Sequence, residues 1–145
     1  MSLQDRLIEE MKQAMRDRNQ LRLDVIRLLR ARIKNVEIDQ GEVNDQQVQN
    51  IVQQQIKQWK DAVIDYEKGS RQDLVDEAMQ KIKVLQEFLP AQLSDDELKM
   101  IIEQIVVDTS LCQVGPLIGQ VKQKVGNQAE GAKIALLVQE IINKS

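Results

Sequence analysis

Arg27, Arg30 and Lys34 are the residues of this chain whose type and spacing best suit chemistry. They stand at i, i+3 and i+7, which on an α-helix brings three cations into one row. Such a row can meet successive phosphates of a nucleic acid, each contact releasing counterions and steepening the salt dependence of binding. The same row also suits a plain solvated surface, because Arg and Lys are good helix formers. Lys57, Lys60, Lys68 and Arg71 extend the basic character toward Gly69, diluted by Asp61, Asp65 and Glu67 within ion-pair reach. Arg32 falls near the edge of the apolar face of its helix, where its stem can snorkel or its charge can pair with an acid.

Other chemistries find little here. The 145-residue chain has no histidine, which removes the usual general base near neutral pH, the Ser-His and Cys-His nucleophile pairs and every His-based metal site. Neither a G-x-x-x-x-G-K-[ST] nor a G-x-G-x-x-G run is present, so a standard phosphate cradle is missing. Asp95, Asp96 and Glu97 suit the first turn of a helix, where acids complement the macrodipole, better than a metal site. Cys112 has no basic or histidine neighbour in sequence to lower its pKa. Trp59 lies in an apolar stripe and is expected to pack rather than stack on a base. No catalytic residue, metal or cofactor is therefore expected.

Helical periodicity must position these residues, for strand alternation is nearly absent. Leu3, Leu7, Met11 and Ala14 mark a first helix from about Ser2 to Arg18. After a break at Asn19-Gln20, Leu21, Val25, Leu28, Leu29, Ile33 and Val36 mark a second, fading near Gly41. On its wheel the apolar face centres on Val25, Leu29 and Val36, with Arg27, Arg30 and Lys34 opposite. Asn44 with Gln47 reads as a capping box opening a long third helix, whose stripe runs Val48, Ile51, Val52, Ile56, Trp59, Val63, Tyr66. Gly69 should end it and Ser70 should cap a fourth, carrying Leu74, Ala78, Ile82, Leu85 and Leu89.

Pro90 then forbids continuation, and Ser94 with Glu97 reads as a capping box flanked by Leu93 and Leu98 as a hydrophobic staple. One helical unit ends and a second begins within a few residues. Beyond the joint come a helix with Leu98, Ile101, Ile102, Ile105 and Val106, a shorter one opening at Gly115-Pro116, and a last one from about Glu130 to Asn143. The glycines at Gly115, Gly119 and Gly131 suit either close helix approach or a phosphate at the N-terminus near Glu130. The expected fold is all-α: a four-helix N-terminal domain, residues 1–90, and a small three-helix tail, residues 91–145.

Composition bounds the setting. Hydrophobic residues are 42% and aromatics only 2%, so aliphatic side chains must build the core and platforms for stacking bases are scarce. The formal net charge of −3 argues against a general nucleic-acid coat, yet Arg16, Arg18, Arg22, Arg27, Arg30, Arg32 and Lys34 outnumber Asp17 and Asp24 in one segment. No apolar run reaches membrane-spanning length, no basic-then-apolar leader opens the chain, and a lone cysteine fits a reducing compartment. The expectation is a cytoplasmic monomer without a membrane partner.

The combination of motifs resembles the YqeY family, relatives of the tail of the B subunit (GatB) of the glutamine-dependent amidotransferase acting on mischarged Asp-tRNA or Glu-tRNA. The likeness is carried by Arg22-Leu23 with Val25-Ile26-Arg27-Leu28-Leu29, by Asn35 with Glu37-Ile38-Asp39, and by Ile56-Lys57-Gln58. It continues through Tyr66-Glu67-Lys68-Gly69-Ser70-Arg71-Gln72-Asp73-Leu74 and Phe88-Leu89-Pro90-Ala91-Gln92-Leu93-Ser94, nearly the whole chain in order. The resemblance implies a four-helix domain with a three-helix tail, an association with tRNA, and no active site in this chain. The segment of the family tail that usually reads Lys-Gly-Arg-Ala-Asp-Gly-Lys is here Gly126-Asn127-Gln128-Ala129-Glu130-Gly131-Ala132, without its cations. Lys133 follows one place later, and weight shifts to Arg27, Arg30 and Lys34.

Three functional readings follow. The first is a non-catalytic accessory protein that binds tRNA or another RNA, with Arg27, Arg30, Lys34, Lys57, Lys60, Arg71 and Lys133 as candidate contacts. The second is a helical protein–protein interaction module without nucleic-acid binding, its small tail docking on a partner and its charge stripe only keeping it soluble; a protein partner from tRNA aminoacylation or amidation is a separate expectation. The third is an accessory to a glutamine-dependent amide-forming (carbon–nitrogen ligase) complex, which rests on family association alone.

Overall fold

A computed structural model describes residues 2–144, and among these every regular element is helical. The order is α1 (Leu3–Arg16), α2 (Gln20–Gln40), α3 (Asp45–Lys68), α4 (Gln72–Gln86), α5 (Asp95–Thr109), α6 (Val114–Val125), a 3₁₀ turn (Gly126–Gln128) and α7 (Gly131–Lys144). The chain divides into two compact units, Met1–Leu89 and Pro90–Ser145.

Local chemistry sets the helix starts. The Asn44 side chain accepts from the Gln47 N–H at 2.9 Å and Gln47 reaches back to the Asn44 N–H at 2.8 Å, a complete capping box. Ser2 and Asp5 form another at the start of α1. At α5 the pattern differs from the expected box. The Ser94 hydroxyl accepts from the Glu97 N–H at 3.2 Å, but it also donates to Glu97 Oε1 at 3.1 Å, so the carboxylate binds the cap's side chain.

The α3–α4 turn corrects a sequence expectation. Gly69 adopts φ −86° and Ser70 takes the left-handed position at φ 55°. The Arg71 N–H bonds to Tyr66 O at 2.9 Å and the Ser70 N–H to Glu67 O at 3.1 Å, the pair of bonds of a Schellman ending. Ser70 therefore closes α3 instead of capping α4. Arg71 is the N-cap of α4 and makes no side-chain capping bond. The end of α1 uses the same device with Arg18 at φ 54°.

In the first unit, α3 packs on α4 and α1 on α2, while α2 also touches α3 and α4. The shared core is aliphatic, with Leu7, Ile26, Leu29, Val48, Val52 and Leu85 closed off by Phe88, which is 1% exposed. Burial of such side chains, at roughly 25 cal/mol per Å² of apolar surface, dominates the stability of a helical unit whose individual helices are marginal alone. On α4 the inward residue is Val75, with Leu74 only half-buried, and the helix stops at Gln86, before Leu89.

The second unit packs α5, α6 and α7 around Leu98, Ile102, Leu117, Val121, Ile134 and Val138. Helix α6 starts at Val114, so Pro116 occupies the third helical position, still within the first turn where a missing N–H leaves no bond unmade. The segment after Pro90 is tied into this unit. Leu93 N–H donates to Gln128 O, and Gln92 Nε2 to Asn127 O, each at 2.9 Å.

Candidate nucleic-acid interface

The α2 wheel is rotated from its sequence-based reading. Leu23, Val25, Ile26, Leu29 and Ile33 are the buried positions, so the core face centres nearer Ile26 and Ile33 than Val36, which is half-buried. The reason is tertiary: α1 packs against this flank of α2, and Leu7 on α1 is fully buried. Arg30 and Lys34 consequently flank the α1–α2 seam and do not stand diametrically opposite the core. All three cations of the row, Arg27, Arg30 and Lys34, are exposed.

Arg30 and Lys34 line a cleft of about 210 Å³ together with Gln4, Leu7 and Ile8 of α1 and Ile33 and Glu37 of α2. Arg30 Nη1 rests against Met11 Sδ at 3.3 Å, a soft contact that leaves its charge uncompensated. Among the described residues, none of Arg27, Arg30 and Lys34 is ion-paired with a carboxylate.

The remaining candidates lie elsewhere. Lys57 is exposed on α3 and Lys60, on the same helix, is half-buried; neither lines the cleft. Arg71 is clasped by Asp73 through Nε at 3.1 Å and Nη2 at 3.0 Å. The hydrogen bonds to Asp73, then its charge, raise the Arg71 pKa. The same hydrogen bonds hold the Asp73 carboxyl below its ordinary range. Lys133 pairs with Asp95 of α5 within the second unit. These two cations are already partnered, whereas the α2 row is not.

Two further cations, one of them in the basic segment, serve the fold. Arg22 bridges Glu10 of α1 at 3.1 Å and Glu87 after α4 at 2.5 Å. Arg6 donates to Glu87 O at 3.1 Å and lies 5.0 Å from the centre of the Phe88 ring. Trp59 is half-buried with Lys81 Nζ 4.3 Å from its ring centre, so one face of the ring is covered. Cys112 is exposed, and no group of His, Cys, Asp and Glu suited to a metal ion occurs among the described residues. Sequence reasoning missed Glu37, Gln4 and Ile8; Glu37 was findable, standing i+3 from Lys34 and i+7 from Arg30.

The Yqey-like protein family model matches residues 4–142. Two curated yeast proteins are similar, each named altered inheritance of mitochondria protein 41, mitochondrial. The one from Vanderwaltozyma polyspora is 34% identical over 85 residues, covering 57% of this chain and 46% of that protein. The one from Kluyveromyces lactis is 32% identical over 106 residues, covering 70% of this chain and 57% of that protein. The chain thus spans about half the length of the curated relatives it matches. With nearly its whole length matched by the family model, the chain belongs to the YqeY-like family.

Proposed function

We propose that this protein is a non-catalytic RNA-binding accessory protein, with tRNA as the polymer, and that Arg27, Arg30 and Lys34 seat it on the phosphate backbone. One observation carries the reading. Arg6, Arg22, Arg71, Lys81, Lys99 and Lys133 are each paired with a carboxylate, while Arg27, Arg30 and Lys34 of α2 stand exposed without one among the described residues. Unpaired guanidinium and ammonium groups in one row retain their full attraction for a polyanion. A non-catalytic role is favoured by the absence of histidine from the sequence. In this reading residues 1–90 form the RNA-contacting domain, and residues 91–145 form a separate tail joined through Pro90.

A gel-shift titration with tRNA over a salt series tests it. Three phosphate contacts lower the affinity by roughly 20- to 40-fold between 50 and 200 mM salt. Each of Arg27→Ala, Arg30→Ala and Lys34→Ala flattens the slope by about 0.7–0.9. Wild type binding tRNA no better than a neutral helical control at low salt sinks the proposal. The alternative of a protein-interaction module is favoured by Met100, Val107 and Leu136, which are 70, 74 and 61% exposed on α5 and α7.

A further inference from the structure

The α1–α2 cleft holds charges of both signs that do not satisfy one another. Arg30 and Lys34 line it beside Glu37, whose half-buried carboxylate has no hydrogen-bond or ion-pair partner among the described residues. Lys34 and Glu37 are three apart on one helix, a spacing that permits an ion pair, yet none forms. The floor is apolar, made by Leu7, Ile8 and Ile33. At about 210 Å³ the cleft is smaller than the roughly 300–1,000 Å³ of sites for whole drug-sized ligands. It has room for one ring of a longer molecule.

We propose that this cleft is a base-reading subsite, in which the Glu37 carboxylate accepts from the exocyclic amino group of an unstacked nucleobase while Arg30 and Lys34 hold the phosphates on either side. The proposal rests on the RNA-binding reading above and adds a preference among bases. Sequence-specific recognition of RNA works chiefly on splayed single-stranded bases, stacked on aromatic rings or on Arg guanidinium planes. Aromatic residues are 2% of this chain, and Arg30, steadied against Met11 Sδ, supplies the planar group at the cleft. An ionised carboxylate only accepts hydrogen bonds. Adenine N6, cytosine N4 and guanine N2 each offer an amino donor to it. Uracil offers only its ring N3–H between two carbonyl oxygens, whose partial negative charge faces the carboxylate unfavourably. The chemistry therefore selects against uridine at one position of the bound strand.

Fluorescence anisotropy on the full chain tests this with labelled single-stranded homopolymers of adenylate, cytidylate and uridylate of equal length. Adenylate and cytidylate strands are expected to bind roughly tenfold tighter than uridylate, the effect of one hydrogen bond to a charged group. Glu37→Gln, whose amide both donates and accepts, is expected to level the three affinities, with thermal melting unchanged. Lys34→Ala is expected to weaken all three strands alike. Equal wild-type affinities for the three strands, or a preference that survives Glu37→Gln, overturn the subsite and leave the phosphate-row reading standing. Binding of none of the strands or of tRNA at low salt overturns both.

Discussion

Arg22 offers the sharpest test of how the first unit is held together. Its guanidinium joins α1 to the end of α4, with Nη2 3.1 Å from Glu10 Oε1 and Nη1 2.5 Å from Glu87 Oε2. Burial works against its charge, but the hydrogen bond to Glu87 and the charges of Glu87 and Glu10 prevail and raise the Arg22 pKa. Its charge is thus complete at neutral pH, and the contribution tied to it is lost as pH rises into strong alkali. The perturbation is Arg22→Met, which keeps the stem and removes the charge. Glu87 is 48% exposed, so its bond counts at surface level, about 0.5 kcal/mol. Glu10 is only 27% exposed, so this charge-assisted bond to its Oε1 is worth about 1.5–2 kcal/mol. After the substitution the Glu10 carboxylate keeps only Arg6 Nε, at 3.6 Å. A total of about 2–2.5 kcal/mol lowers the melting temperature by ~10–15 °C for a unit of this size. Circular-dichroism melting reads the shift. Adding Glu10→Gln is expected to recover about 1 kcal/mol, because no orphaned carboxylate remains. A drop under about 3 °C, or a double variant no more stable than the single, refutes this account of the network.

Other consequences are as direct. Ser70→Gly relieves the left-handed strain at φ 55° and is expected to stabilise the protein by about 1 kcal/mol in denaturant melts. Asp73 holds its carboxyl below the ordinary range through its bonds to Arg71, so the clasp persists above the ordinary carboxylate pKa and is lost as pH falls through the lowered value. An NMR titration should place the Asp73 midpoint below the ordinary carboxylate value, and Arg71→Ala should raise it. Arg71→Ala is also expected to reduce tRNA affinity less than Lys34→Ala does, because Arg71 already has its carboxylate. Phe88→Ala empties a site that is 1% exposed and is expected to cost about 3–5 kcal/mol, enough to unfold much of the first unit at 37 °C.

Much of the fold was legible because aliphatic periodicity, capping side chains and proline act locally. Asn44 with Gln47 wrote its own capping box, and the apolar stripe from Val48 to Ile56 is the buried face of α3. Helix identity and order along the chain follow from such signals, each confined to a turn or two of backbone. The Ser70 turn was less legible, because Gly69 offered an easier left-handed position and the helix ended one residue later. Propensity at one residue is worth about 1 kcal/mol, which the α3–α4 packing can override.

The candidate interface divides the same way. Arg27, Arg30 and Lys34 share a row by spacing alone, so sequence suffices to propose them. Which cations remain unpaired depends on contacts between residues far apart in the chain. Arg22 belongs to the same basic segment as Arg30, but Glu87, 65 positions away, pairs with it. Glu37 became notable only once α1 supplied the opposite wall of a cleft with Leu7 and Ile8. Sequence determines which faces a helix can present, through the 3.6-residue repeat. Only tertiary packing decides which of those faces is covered and which charge finds a partner, because these outcomes depend on the position of a neighbouring helix in space.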